Sequence, residues 1–154
     1  MKILAIESSC DDTCAAVVQN TTVLSNVISS QIDIHSRTGG VVPEVAAREH
    51  VKNMLPVLNQ ALTEANINLK EIDALAVTRG PGLVSSLLVG ANTASLLAWL
   101  EHKPLIPIHH TEGHIYANYL GRAEDEIKYP LLVLTVSGGH NDLYYLRAPL
   151  EYEL

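Results

Sequence analysis

The order of apolar segments constrains this chain more than any other feature. Three strand-like runs come first: Lys2 to Glu7, Thr13 to Gln19, and a third that follows Asn20-Thr21-Thr22 and runs through Ser29. Only short polar turns separate them, so they read as a meander. After a loop with Gly39-Gly40, Pro43 opens a long helix to about Asn66, with Glu44 near its positive end and Val45, Val51, Leu55, Leu58 and Leu62 at helical spacing. Pro56 inside that run predicts a kink. Ile72 to Thr78 reads as a strand, Arg79-Gly80-Pro81-Gly82 as a turn, Leu83 to Leu100 as a second helix, Leu105 to Ile108 as a strand and His110 to Leu120 as a third helix. Strands and helices that alternate after an opening meander predict an α/β fold, with a mixed sheet and helices packed on it. Gly121 to Tyr129 is a charged loop, and Leu131 to Val136 pairs with Asp142 to Leu146 across a tight turn at Ser137-Gly138-Gly139-His140.

Composition sets the outer limits. With 154 residues, 47% of them hydrophobic, the chain is long enough for one domain with a real core. A net charge of −7 repels a phosphate backbone, so any nucleic-acid contact must be local or supplied by a partner. Cys10 and Cys14 match neither a redox pair nor a zinc knuckle, and two thiols in a chain this size point to a reducing compartment, with the cytoplasm as the expected location. The acid at Glu7 comes too early for a signal peptide. Leu83 to Leu100 is the one stretch that suggests a membrane span, but Ser85, Ser86, Asn92, Thr93 and Ser95 interrupt it, and a crossover helix is the expectation.

The chemistry concentrates at His109-His110-Thr111-Glu112-Gly113-His114. On a helix, residues four apart share a face, so His110 and His114 can address one metal ion and supply half of a tetrahedral site. A pair in the core or at the surface is the alternative. Glu112 invites comparison with metalloproteases, whose general-base glutamate directly follows the first histidine. Here it is two positions on, and at about 100° per residue it turns roughly 200° away from His110. A structural or supporting role for Glu112 is expected instead. His35, His50 and His102 lack such company and read as structural or solvated. Asp11 and Asp12 lie in the turn after the first strand, where aspartates serve either as turn formers or as ligands for a phosphate or metal. Ser137-Gly138-Gly139 offers unobstructed backbone N–H groups to an anion, or is simply a hairpin turn. Gly80-Pro81-Gly82 is open to the same two readings.

Taken together, Glu7-Ser8-Ser9-Cys10-Asp11-Asp12-Thr13, Val42-Pro43-Glu44, Gly80-Pro81-Gly82-Leu83, Ser86-Leu87-Leu88-Val89-Gly90, His110-Thr111-Glu112-Gly113-His114 and Val136-Ser137-Gly138-Gly139-His140 resemble the tRNA threonylcarbamoyladenosine-forming transferases, also known as glycoprotease-like proteins. The resemblance spans essentially the whole chain, in the family's order and spacing. It implies an actin-like ATPase (ribonuclease H-like) fold of two related lobes with the site in the cleft between them. It implies transfer of a threonylcarbamoyl group from its adenylate to N6 of the adenosine 3′ of the tRNA anticodon. By the same resemblance, His110 and His114 would ligate iron(II) or zinc, Thr135, Val136, Ser137, Gly138 and Gly139 would contact the adenine nucleotide or threonylcarbamoyl-adenylate, and Asp11 would be catalytic or position the substrate. The partners implied are tRNA, a paralogous actin-like subunit, and the ATPase and accessory subunits of a modification complex.

Three departures from the family pattern stand out: His109 where asparagine is common, Asn141 in place of a threonine, and Asn92-Thr93-Ala94-Ser95 where a lysine is frequent. Family members also run about twice as far, as two lobes require. Residues 1–154 are therefore expected to be a single N-terminal lobe, with the second lobe and the acidic third metal ligand lying outside it and little activity or metal binding alone. Two competing readings are a metal-dependent peptidase, suggested by the histidine pair, and a non-catalytic lobe that self-associates through exposed apolar surface.

Overall fold

The meander forms where the polar turns place it. In the computed structural model, which describes residues 1–123, 126–136 and 141–154, β1 (Lys2–Glu7), β2 (Asp12–Gln19) and β3 (Thr22–Ser30) pair antiparallel in sequence. Alternation fixes which side is buried: Leu4, Ile6, Ala15, Val17 and Val27 belong to one core cluster. β4 (Ala74–Gly80) and β5 (Leu105–His109) then add in parallel beyond β1, giving the order β3-β2-β1-β4-β5. Parallel pairing requires a crossover, and α2 (Pro43–Ala65) and α3 (Val84–Leu100) provide the two helices. β4 lies between β1 and β5, and its residues 74–78 are buried in succession, as expected of a strand covered on both faces.

The helices correct the sequence reading in detail. Ala46, His50, Met54, Val57, Leu58 and Ala61 form the buried face of α2, whereas Val51 and Leu55, expected to pack inward, are exposed. A polar residue takes the inner position because its needs are met there. His50 is fully buried, with Nδ1 2.7 Å from the Thr13 hydroxyl and Nε2 3.0 Å from the Cys10 carbonyl. The helix continues through Pro56 as one element, because the buried positions on either side of it share the same core. Before it lies α1 (Ile32–His35), which the sequence pattern does not announce, and there buried His35 is hydrogen-bonded to buried Gln31 at 3.0 Å. On α3 the buried residues are Ser86, Gly90, Ala94 and Ala98, four apart and all small, so the helix backbone lies close to the sheet. A methyl group on Gly90 would collide with Ser8 Oγ. Val84, Leu88, Leu96 and Trp99 of the same helix are exposed. After α3, Lys103 Nζ donates to the carbonyls of Leu69 (2.8 Å), Lys70 (2.7 Å) and Ile72, tying its loop to the single-turn helix Leu69–Glu71. Among the described residues, no helix is long and apolar enough to cross a membrane.

The chain divides into two compact units, Met1–His110 and Thr111–Leu154. The second has its own three-stranded antiparallel sheet in the order β6 (Leu131–Val136), β7 (Asn141–Ala148), β8 (Glu151–Glu153), where the sequence pattern indicates only a hairpin. Ile115, Val133, Tyr144 and Leu146 form its core, with Tyr116, Tyr129, Leu131 and Tyr152 packed around them. The histidine helix is shorter than expected: α4 covers His110–Tyr116 and gives way to a tighter turn at Ala117–Tyr119. Asn118 is the reason, since its side-chain amide donates to the carbonyls of His114 and Ile115 and so closes the helix. The Ser137-Gly138-Gly139-His140 turn lies outside the described residues.

Candidate active site

In an open sheet with parallel strands, functional groups gather at the carboxyl ends of those strands. Here β1 ends at Glu7, β4 carries Thr78 next to Val77, which pairs with Ile6, and β5 ends at His109, directly before His110. Their side chains meet. His110 Nδ1 is 3.2 Å from Glu7 Oε2 and 3.1 Å from Ser9 Oγ. Thr78 donates its hydroxyl to the same Glu7 oxygen, and the backbone N–H of Ser9 donates to the other. Burial alone would raise the Glu7 carboxyl, but the bonds from His110, Thr78 and Ser9 outweigh it and hold the group at about 2. Reciprocally, the Glu7 hydrogen bond raises His110 against the opposing effect of burial.

The turn that carries Asp11 is clamped from several sides. Ser8 donates to the Ser86 carbonyl at 2.9 Å, and Leu83 N–H donates to the Ser9 carbonyl at 2.7 Å. Gly82 is required here: a Cβ at that position would lie 2.6 Å from the Ser9 carbonyl oxygen. This packing accounts for Gly80-Pro81-Gly82 as a turn. His50 holds the Cys10 carbonyl, and the backbone N–H of Gln31 donates to the Asp11 carbonyl at 3.1 Å. Asp11 is half-buried, and one carboxylate oxygen of neighbouring Asp12 is buried with no hydrogen-bond partner among the described residues. Cys10 and Cys14 are free thiols, pushed up to about 11 and about 12 by burial and then by nearby carboxylates, so neither is a ready nucleophile.

In the second unit, His114 lines a pocket of about 170 Å³ with Thr111, Asn118, Thr135 and Val136. The structure thus brings one expected metal ligand beside two of the expected nucleotide contacts. Thr135 is fixed by its own hydroxyl, which donates to the Asp142 carbonyl at 3.3 Å. The remaining expected contacts, Ser137, Gly138 and Gly139, lie outside the described residues. Glu112 accepts a 2.7 Å hydrogen bond from the Tyr152 hydroxyl, a structural partner of the kind its helical position suggested.

His110 and His114 lie one turn apart on α4, so the helical spacing that a shared ligand needs is present. His110 meets a carboxylate through Nδ1, as metal-bound imidazoles commonly do, so Nε2 is the nitrogen that would ligate an ion. That donor set fits half of a metal site. Among the described residues, no group of three or more His, Cys, Asp or Glu side chains is placed to hold an ion. Glu7 is the site residue that sequence reasoning passed over. The only signal was an acid closing the apolar run Ile3 to Ile6, 103 residues before its histidine.

The profile of the tRNA N6-adenosine threonylcarbamoyltransferase family matches residues 22–154. The chain is 52% identical over 153 residues to the tRNA N6-adenosine threonylcarbamoyltransferase of Staphylococcus haemolyticus (strain JCSC1435), and 51% identical to that of Persephonella marina (strain DSM 14350 / EX-H1). Each alignment covers 99% of this chain and 44% of the relative, so the chain spans less than half the length of these relatives. Among solved structures, YeaZ from Pseudomonas aeruginosa superposes with a TM-score of 0.57 at 17% identity, over 93% of this chain and 65% of that one. ROK hexokinase from Thermus thermophilus gives 0.51 at 17% identity, over 95% and 47%. These likenesses show the fold alone, the actin-like ATPase fold that the motifs implied. By its profile match and its identities, the chain belongs to the tRNA N6-adenosine threonylcarbamoyltransferase family.

Proposed function

We propose that this chain takes part in transferring a threonylcarbamoyl group from threonylcarbamoyl-adenylate to N6 of the adenosine 3′ of the anticodon in tRNA, as the N-terminal lobe of a two-lobed transferase in the cytoplasm. The observation that carries this reading is 52% identity across 153 residues to a transferase of that name. In the transfer, a bond forms between N6 and the carbamoyl carbon, the bond from that carbon to the adenylate oxygen breaks, and N6 loses a proton. His110 and His114 would hold iron(II) or zinc through their imidazoles, and the bound ion would supply Lewis acidity at the carbamoyl oxygen. Thr135 and Val136, with the backbone of Ser137, Gly138 and Gly139, would hold the adenylate. Asp11, on a turn braced by His50 and Gln31, would position the substrate or accept the proton.

The exposed apolar side chains of α2 and α3 support a protein partner, either a paralogous actin-like subunit or a second copy of this chain, with ATPase and accessory subunits completing the complex. The net charge of −7 supports a division of labour in which partners supply much of the tRNA contact. A metal-dependent peptidase is the weaker reading, because Glu112 is engaged by Tyr152 rather than poised at a ligand shared by the histidines. The test is transfer from preformed threonylcarbamoyl-adenylate to tRNA, read as modified nucleoside. It uses this chain alone and this chain with the remaining segment of the Staphylococcus haemolyticus relative added in trans. Product in the second mixture, and little or none in the first, is expected; no product in either overturns the proposal.

A further inference from the structure

We infer that Glu7 is a positioning residue, which holds the imidazole of His110 as the Nδ1–H tautomer and so leaves the ring's lone pair on Nε2, the nitrogen that would ligate a metal. The inference deepens the metal reading above and rests on it for its purpose, though its geometry stands alone.

Glu7 receives hydrogen bonds from the Thr78 hydroxyl and the Ser9 backbone N–H, so it acts in this cluster as an ionised carboxylate, a group that only accepts. His110 Nδ1 lies 3.2 Å from Oε2 of that carboxylate and must therefore donate to it. The Ser9 hydroxyl, 3.1 Å from the same nitrogen, is able to donate or accept and so does not decide the matter. Once Nδ1 carries the proton, a neutral ring can present a lone pair only at Nε2.

Position makes the contact more than a passing ion pair. Glu7 is the last residue of β1, at the carboxyl end of the central strand of the sheet, while His110 opens a seven-residue helix. The carboxylate is held by groups on β4 and on the turn after β1, so the rigid sheet sets the orientation of a side chain on a short helix. A metal-bound imidazole is commonly oriented through its other nitrogen by a carboxylate in this way, and removal of that partner costs about 10–100-fold in metal affinity.

The experiment uses this chain with nitrogen-15-labelled histidine, at alkaline pH where the ring is neutral. Ring-nitrogen chemical shifts then report the His110 tautomer in the wild type and in Glu7→Ala. The Nδ1–H form is expected to dominate in the wild type and to give way toward Nε2–H in the variant. An Nε2–H wild type, or a variant with an unchanged tautomer, overturns the inference. The wild-type measurement alone decides the point if Glu7→Ala does not fold. Zinc(II), titrated against a chromophoric chelator, is the second probe: affinity should fall about 10–100-fold in the variant. Equal affinity in the two proteins overturns the positioning role. A wild type that holds no zinc agrees with a lobe whose third ligand lies elsewhere, and the tautomer alone then decides what Glu7 does.

Discussion

The two sheets of this chain begin alike, each with three antiparallel strands in sequence, and differ in what lies over them. In the first, β4 and β5 extend the meander in parallel, and each parallel strand brings a crossover helix to the sheet. In the second, the face of β6-β7-β8 that carries Val133, Tyr144 and Leu146 packs with Ile115, while Leu132, Leu134, Val136 and Leu143 of the other face are exposed. The pairing of Leu134 with Leu143 and of Leu132 with Tyr145 makes that face a continuous apolar stripe. The difference teaches that strand pattern decides pairing, whereas connection type decides burial. β6, Leu-Leu-Val-Leu-Thr-Val, has apolar residues on both faces, as β4 does, but only β4 is covered on both.

Mutations can break this contrast. Leu75→Ala in β4, where the side chain is fully buried, should cost about 2–5 kcal/mol in urea unfolding. A loss below about 1 kcal/mol would mean that the first sheet is no better covered than the second. Acid should act on the first unit through the same end of the sheet. Glu7 is held at about 2 against an ordinary 4.5, so its contribution is present above 4.5 and is lost as pH falls toward 2. His110 is shifted the other way: its contribution is complete below 6.5 and is lost as pH rises past its elevated value. Unfolding followed across pH should therefore show the pair at full strength between about 4.5 and 6.5, and Glu7→Gln should flatten both slopes.

Smaller effects sharpen the comparison further. Gly90→Ala forces a methyl against Ser8 and should destabilise by about 1–3 kcal/mol, read as a lowered thermal midpoint. In the second unit, Tyr152→Phe removes the hydroxyl that Glu112 accepts and keeps the ring contact with Tyr144, for an expected loss of about 1 kcal/mol. Leu134→Ser on the exposed face should change stability by no more than about 0.5 kcal/mol. A large loss there would show that the stripe is covered in solution.

Much of the first sheet is legible in the sequence because periodicity and punctuation agree there. Lys2–Glu7 can be read to the residue, and the long helix ends within one residue of Asn66, which takes the left-handed conformation that closes helices. What escapes depends on tertiary partners. The inward face of α2 turns on His50, whose burial is understandable only once Thr13 and the Cys10 carbonyl are in place. The short α1 and three-residue β8 carry too few residues for a periodic signal. At the candidate site, the spacing of His110 and His114 is visible on the sequence, but the carboxylate that orients His110 belongs to a strand 103 residues away. No local pattern encodes that meeting.

Lys103 has a consequence for how this chain tolerates change. Its ammonium group faces three carbonyl oxygens, from Leu69, Lys70 and Ile72, and an ammonium has three N–H bonds splayed as a tripod. A guanidinium is flat and spreads its donors in one plane, so it matches paired oxygens rather than a converging trio. Arginine, the exchange that charge alone would deem harmless, is the wrong shape here: it keeps the positive charge and loses the knot between the loop after α3 and the single-turn helix Leu69–Glu71.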